Sequence, residues 1–336
     1  MVSINDVAKH AGVSNATVSR VLSGYEHVSE KTRSLVLQAV NELNYQPDKT
    51  ARRLRSQSTS QVIGLIVSDI QNPHFSAMVR GVEDFAYQHN MNIILCNTDE
   101  QPEREEFYLH LMQSERAAGV LINPISPNAY QILTHLQSMN ISVVLLDNQI
   151  NGFESDSIGV TDWQGAYDMT SHIIAMGNKR IGIIAGDPVQ VTGVQRLQGY
   201  KDALKDNGLN EEESLIEISK YTIDGGYEAT LNILQQSKPD ALFTCTNSLT
   251  IGALKALKEY NLNIPNNICL ATFDDLPYAE FFHSPLTSVA QPSYQIGAEA
   301  GRLIHERLKS PETPYKNIEL PCELIIRQSC GEKLRT

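Results

Sequence analysis

Residues 4–22 read Ile4-Asn5-Asp6-Val7-Ala8-Lys9-His10-Ala11-Gly12-Val13-Ser14-Asn15-Ala16-Thr17-Val18-Ser19-Arg20-Val21-Leu22. Ile4, Val7, Ala8 and Ala11 recur at helical spacing until Gly12 breaks the run. Ser14 suits the cap of a second helix, Asn15 to Leu22, whose inner face is Val18, Val21 and Leu22. Ser23-Gly24 ends it, and Ser29 opens a third helix with the apolar stripe Leu35, Val36, Ala39, Val40 and Leu43. Two short helices about a tight turn, braced by a third, predict an all-α helix-turn-helix headpiece over residues 1–46. The second helix then presents Asn15, Ala16, Thr17, Ser19 and Arg20 outward. Short polar groups and one forked guanidinium suit base edges and phosphates in a major groove. Spacing alone also admits a generic three-helix bundle.

Charge is distributed unevenly around this stretch. The 336-residue chain carries −12, yet residues 1–60 hold eight Lys/Arg against five acids, a balance of +3. The remainder, with 19 against 34, stands at −15. A basic end on an acidic body is expected where only that end approaches phosphate. Residues 47–60 form a linker: Pro47 and Asp48 suit a helix start, Thr50 to Arg55 allow a turn or two, and Ser56 to Ser60 are polar.

Beyond Gln61, apolar runs alternate with amphipathic stretches. Strands are predicted at 62–67, 93–96, 119–122 and 143–147, then at 181–185, 215–219, 241–245 and 268–273. Helices are predicted at 75–89, 103–113, 162–176 and 192–207. Continuous apolar strands between helices mean parallel sheets covered on both faces, so two sets of about four strands predict an α/β core of two doubly wound parallel-sheet lobes. Such lobes bind ligands at strand carboxyl ends, here in the cleft between them. The polar groups ending strands are Asp69, Asn97, Asp147, Asp187, Thr246-Asn247 and Asp274-Asp275. Trp163, the one tryptophan, is expected in core packing or at the cleft.

Several classes are set aside. No stretch reaches the about 18 apolar residues of a membrane span. The N-terminus lacks a basic segment followed by an apolar run, which predicts a cytoplasmic protein, free to associate with the nucleoid. Five cysteines, three of them (Cys96, Cys245, Cys269) in or beside apolar strands, read as reduced buried thiols, and Cys322 and Cys330 lack further zinc ligands. The chain contains no Gly-x-Ser-x-Gly, P-loop, Gly-x-Gly-x-x-Gly or His-Glu-x-x-His pattern, so neither an enzyme nor a cofactor or metal is expected.

Residues 4–14 with 16–22, then Val28-Ser29-Glu30-Lys31-Thr32-Arg33 and Tyr45-Gln46-Pro47, closely resemble the headpiece of the lactose-repressor family of bacterial transcriptional regulators. The resemblance runs through nearly all of the remaining chain. It implies a periplasmic-binding-protein-like core for effector binding and dimerisation over 61–336, crossing between lobes near 161, 290 and 320. Lobe 1 would span about 61–161 and 291–320, and lobe 2 about 162–290 and 321–330. It implies a hinge in 47–60 that orders on DNA, with Leu54 as a minor-groove wedge, Ala51 permitting close approach and Arg55 on phosphate or groove. Without the family match, Leu54 reads as a linker leucine docked on the body. The implied effector positions are His74, Phe75, Asp147, Gln190, Thr192, Arg196, Tyr221, Thr246 and Asp274. Arg196 and a facing Asp274 would grip vicinal hydroxyls, and Phe75 and Tyr221 would pack on a ring. Thr246-Asn247 stands where many members have Asn-Asp. The implied function is a repressor binding a pseudo-palindromic operator as a homodimer, under allosteric control of a small molecule. A sugar fits best; a purine or a phosphorylated carrier protein as corepressor are the alternatives. The C-terminal end shows no leucine heptads that would predict tetramers.

Overall fold

The computed structural model describes residues 2–22, 25, 27–45 and 62–331. The chain divides into two compact units, 1–60 and 61–336. In the first, α1 (Ile4–Ala11) opens on a reciprocal cap: the Ser3 side chain accepts from the Asp6 N–H while the Asp6 carboxylate accepts from the Ser3 N–H. Gly12, at φ 64°, closes the helix in the left-handed region that a side chain would strain. The second helix, α2 (Asn15–Leu22), starts at Ser14, whose hydroxyl accepts from the Thr17 N–H at 3.2 Å. Ser29 caps α3 (Glu30–Glu42) in the same way through the Thr32 N–H. Val7, Ala8, Val18, Val21, Val36 and Ala39 make the core. Leu35, expected in the third helix's inner stripe, is instead exposed. The expected hinge residues Ala51, Leu54 and Arg55 lie outside the described residues.

The second unit begins with β1 (Val62–Val67), α4 (Pro73–Gln88), β2 (Asn92–Asn97), α5 (Pro102–Ser114), β3 (Gly119–Ile122), α6 (Ala129–Ser138), β4 (Ser142–Leu146) and β5 (Asp156–Val160). The chain then crosses into α7 (Asp162–Ala175), β6 (Ile181–Ala185), α8 (Val191–Asp206), β7 (Ile216–Ile218), α9 (Ile223–Gln236), β8 (Ala241–Thr244), α10 (Asn247–Glu259), β9 (Cys269–Phe273) and β10 (Thr287–Ala290). It returns through α11 (Ser293–Lys309) and β11 (Asn317–Leu320), and crosses a third time to β12 (Glu323–Ile325). The first sheet runs β11-β5-β4-β3-β1-β2, and the second β12-β10-β9-β8-β6-β7. Each places five successive strands in the same spatial order, so the two lobes repeat one doubly wound pattern. Every described pairing is parallel except β10 with β12.

Each sheet therefore has six strands rather than the expected four or so; the first is wholly parallel, as expected, and the second departs only in its antiparallel edge strand β12. The four strands missed have physical reasons for escaping notice. β10 buries Thr287 and Ser288, whose hydroxyls are satisfied by the Arg327 carbonyl and the Asp275 carboxylate. β5 opens on buried Asp156, held by both ends of the Arg307 guanidinium. β11 and β12 are half-exposed edges without an apolar run. The strand expected at 215–219 shortens to 216–218, because Glu213–Leu215 forms a turn of 3₁₀ helix. Trp163 is not core: on α7 it stacks on Tyr167 at 5.0 Å and donates to Asp202 at 2.9 Å, 37% exposed.

Cys96, Cys245, Cys269 and Cys330 are buried free thiols, and Cys322 is half-buried. Among the described residues no helix is long and apolar enough to cross a membrane, and no three potential metal ligands cluster.

Candidate functional site

The strand carboxyl ends of both lobes converge on one cavity, and all nine nominated residues line it: His74, Phe75 and Asp147 from the first lobe, Gln190, Thr192, Arg196, Tyr221, Thr246 and Asp274 from the second. Asp147 follows β4 and Asp274 follows β9, the equivalent strand of the other sheet. Both adopt positive φ, 62° and 74°, and both donate their N–H to the adjacent strand, to Ile158 at 2.8 Å and Val289 at 2.9 Å. The same sparsely populated backbone is thus used twice, once per lobe, to turn a carboxylate off the strand end and into the cleft.

Helix starts supply the other polar groups. Asn72 caps α4 through the His74 N–H, and Pro73 at the first position sets its entry. Thr246 caps α10 through the Leu249 N–H, so part of its hydrogen-bonding capacity is structural. Gln190 stands at the start of α8 but makes no side-chain cap, leaving its amide to reach across the cleft to Glu100 at 3.1 Å. Further bonds join the lobes: the Thr192 N–H and hydroxyl both donate to Asn148, at 3.3 and 3.1 Å, and Asn247 donates to Asn72 at 3.3 Å. The cavity enclosed is about 30 Å³, room for no more than two or three waters.

Arg196 differs from its expected arrangement. Its Nε donates to Asp162 at 2.6 Å and its Nη1 to the Cys245 carbonyl at 2.7 Å, while the guanidinium lies 3.8 Å from the Phe273 ring centroid. The facing carboxylate is therefore Asp162 rather than Asp274, which instead accepts from the Gln291 amide. Burial pushes the Asp162 carboxyl up, and Arg196 pulls it back. Burial likewise raises Glu100, opposed by hydrogen bonds from Gln190 and Ser68. Tyr221 packs over Gly186, where a Cβ would collide with its ring.

The lining carboxylates are Asp69, Glu100, Asp147 and Asp274, against a single cation, Arg196. Four polar atoms of lining residues are buried without a hydrogen-bond partner: His74 Nε2, Asp147 Oδ1, the Tyr221 hydroxyl and Gln291 Oε1. Buried polar atoms are satisfied in the great majority of cases, so such a cluster marks a place shaped for another molecule. The sequence reading missed Glu100, Asp162, Asn148 and Gln291. Asp162 carried a signal, an acid opening the apolar helix that follows the first crossover; Glu100, inside Thr98-Asp99-Glu100-Gln101-Pro102, reads as solvated loop.

In the headpiece, Asn15, Ala16, Ser19 and Arg20 are exposed on α2. Thr17, expected to face fully outward, is half-buried, with its hydroxyl bonded to Ser14 at 2.9 Å. Asn15 donates to Asn5 of α1, and His10 of α1 meets Glu42 of α3 at 2.6 Å, which ties the polar edges of the three helices together.

A three-helix headpiece with a polar second helix, followed by two doubly wound lobes around a polar cleft, defines a DNA-binding transcriptional regulator of the two-lobed, ligand-binding type. Residues 3–48 match the bacterial regulatory proteins of the lacI family, and residues 170–330 match the periplasmic binding protein-like domain. The HTH-type transcriptional repressor PurR of Pasteurella multocida (strain Pm70) is 32% identical over 337 residues, spanning 99% of this chain and 100% of its own. The lac repressor dimer bound to operator and the anti-inducer ONPF superposes with a TM-score of 0.85 at 25% identity, over 98% of this chain and 99% of that one. The CelR–cellobiose complex gives 0.73 at 27%, over 98% and 100%. The chain belongs to the lacI family and is a DNA-binding transcriptional repressor of it.

Proposed function

We propose that this repressor is controlled by a small neutral sugar bound in the interlobe cleft. The carrying observation is the charge of the lining: four carboxylates face the cavity, and its one guanidinium is already neutralised by Asp162. Such a wall repels phosphates and carboxylates and accepts hydrogen bonds from hydroxyls. Asp147 and Asp274 would each take ligand hydroxyls, His74 and Gln291 would satisfy their unpaired atoms on it, and Phe75 and Tyr221 would meet its apolar face. Gln190, Thr192, Thr246 and Arg196 complete the lining, Arg196 mainly by holding the second lobe's wall in place. A neutral purine base is the second reading, favoured by the PurR relatives.

The regulatory step follows from the cross-lobe bonds. A hexose cannot enter a space of about 30 Å³ without parting Gln190 from Glu100 and Thr192 from Asn148. An effector acts only through unequal affinity for the open and closed lobes. A coupling of about 1–3 kcal/mol would change operator affinity about 5–150-fold. We assign operator reading to Asn15, Ala16, Thr17, Ser19 and Arg20, and minor-groove contact to Ala51, Leu54 and Arg55. Two copies acting together on a paired half-site, in the cytoplasm, complete the proposal.

The test is a thermal-shift screen of the full chain against neutral sugars, sugar phosphates and purine bases. A ligand at 100 times its dissociation constant should add about 2.7 kcal/mol of stability. Stabilisation by neutral sugars alone is expected. Stabilisation only by sugar phosphates would contradict the charge argument, and stabilisation only by purines would select the second reading.

A further inference from the structure

The headpiece carries an aromatic ring that its own packing does not explain. Tyr25, three residues beyond the end of α2, is 51% exposed, and its side chain takes no part in the core of the three helices. Its backbone is nevertheless held twice. The Tyr25 N–H donates to the Arg20 carbonyl at 3.0 Å, and the Tyr25 carbonyl accepts from Arg33 Nη2 at 2.9 Å. One bond ties Tyr25 to α2 and the other to α3, so the ring is aimed by its main chain rather than by burial.

That ring meets the side chain of Arg20. The guanidinium carbon lies 6.0 Å from the ring centroid, within reach of a cation–π attraction. His27, also exposed, meets the same ring edge-on at 5.5 Å and 75°. An exposed arginine has a long flexible stem, and ordering it on a target opposes binding. A ring that already holds the guanidinium removes part of that cost before DNA arrives. A tyrosine placed for the fold alone would be buried, and one placed for phosphate alone would act through its hydroxyl.

We propose that Tyr25 is a positioning residue for operator reading: its ring holds the Arg20 guanidinium in the orientation with which it meets a base edge. This rests on the assignment of Arg20 to operator reading, which the experiment tests separately.

A library of randomised DNA duplexes, selected against the full chain, supplies the probe. Fluorescence anisotropy then gives Kd for the enriched duplex and for each of its single-base-pair variants. Arg20→Ala is expected to weaken the preference at one or two base pairs by about fivefold or more. Tyr25→Ala should weaken it at those same base pairs by about two- to fivefold, the span of an exposed cation–π contact, and leave the other positions unchanged. Tyr25→Leu, which keeps bulk but no π face, should behave as Tyr25→Ala, whereas Tyr25→Phe should retain the wild-type preference. With Arg20 already replaced by Ala, Tyr25→Ala should change nothing further at those positions. Equal weakening of every duplex by Tyr25→Ala, or a Tyr25→Phe chain as impaired as Tyr25→Ala, would make Tyr25 a phosphate contact and overturn the proposal. Full preference in Tyr25→Ala or Tyr25→Leu overturns it as well, while Arg20 keeps its role. No effect of Arg20→Ala on any base pair, or a library from which no sequence is enriched, overturns the operator-reading assignment and the proposal together.

Discussion

Arg196 is 3% exposed, and both its partner Asp162 and the Phe273 ring beneath it are buried. Removing one member of such a pair leaves the other as an uncompensated buried charge. Arg196→Ala should therefore lower unfolding stability by about 3–5 kcal/mol in urea titrations, whether or not ligand is present. Asp274→Asn is a different kind of change. Asn tolerates the left-handed φ of 74° and keeps a polar group beside Gln291, so stability should stay within about 1 kcal/mol. The response of operator affinity to effector should be lost, as read by fluorescence anisotropy with and without the sugar found in the screen. A mutant that still switches at unchanged effector concentration would remove Asp274 from the site.

Glu105 gives a pH signature at the same scale. Burial pushes its carboxyl up to about 7, although the backbone N–H groups of Ile125 and Ser126 oppose the shift. A carboxylic acid with a raised folded-state value binds its proton more tightly when folded, so stability is highest below the unfolded value near 4.5 and falls as pH rises toward 7. The wild type should lose about 2–3 kcal/mol relative to Glu105→Gln between those limits, from denaturant midpoints taken at each pH. A constant difference across the range would show that Glu105 binds its proton no more tightly in the folded than in the unfolded chain.

Among elements, the closest packing involves α4 and α11, which approach until side chains give way to backbone. A Cβ on Gly297 would lie 1.9 Å from the Met78 carbonyl oxygen, and one on Gly81 would lie 2.1 Å from the Tyr294 carbonyl oxygen. Neither neighbour is a flexible side chain, so the helices must separate to admit a methyl group. Gly297→Ala should cost more than about 3 kcal/mol despite its better helix propensity, which is worth about 1 kcal/mol in the opposite direction. Stabilisation by this substitution, measured by thermal unfolding, would mean that the helices lie farther apart. The headpiece helix starts were readable for the same reason that they form: Ser14 and Ser29 are local capping signals. Strands β5 and β10 were not, because their buried polar side chains depend on partners as distant in sequence as Arg307 and Arg327.

For the whole molecule, the division at residue 60 separates a basic unit from an acidic one. A fragment of residues 61–336 contains all the described strands of both sheets and all residues lining the cleft. It should fold, self-associate and bind the effector, yet show no specific operator affinity. Operator-specific binding by the fragment would place DNA reading in the wrong unit, and an unfolded fragment would make the units interdependent.

The sequence by itself determined the helix-turn-helix pattern, the alternation of apolar strands with helices and the strand-end acids Asp147 and Asp274. These depend on spacing, capping and periodicity within about 20 residues, which short-range sterics and local hydrogen bonds enforce. Tertiary structure alone decided which charges meet. Arg196 could have faced Asp274, but α7 brings Asp162 to its Nε at 2.6 Å, 34 residues away in sequence. Glu100 became a half-buried bridge to Gln190 only because the two lobes meet there. Such pairings depend on how whole sheets and helices are stacked, and in a buried site the low dielectric makes that placement, rather than residue type, set each group's partner and charge.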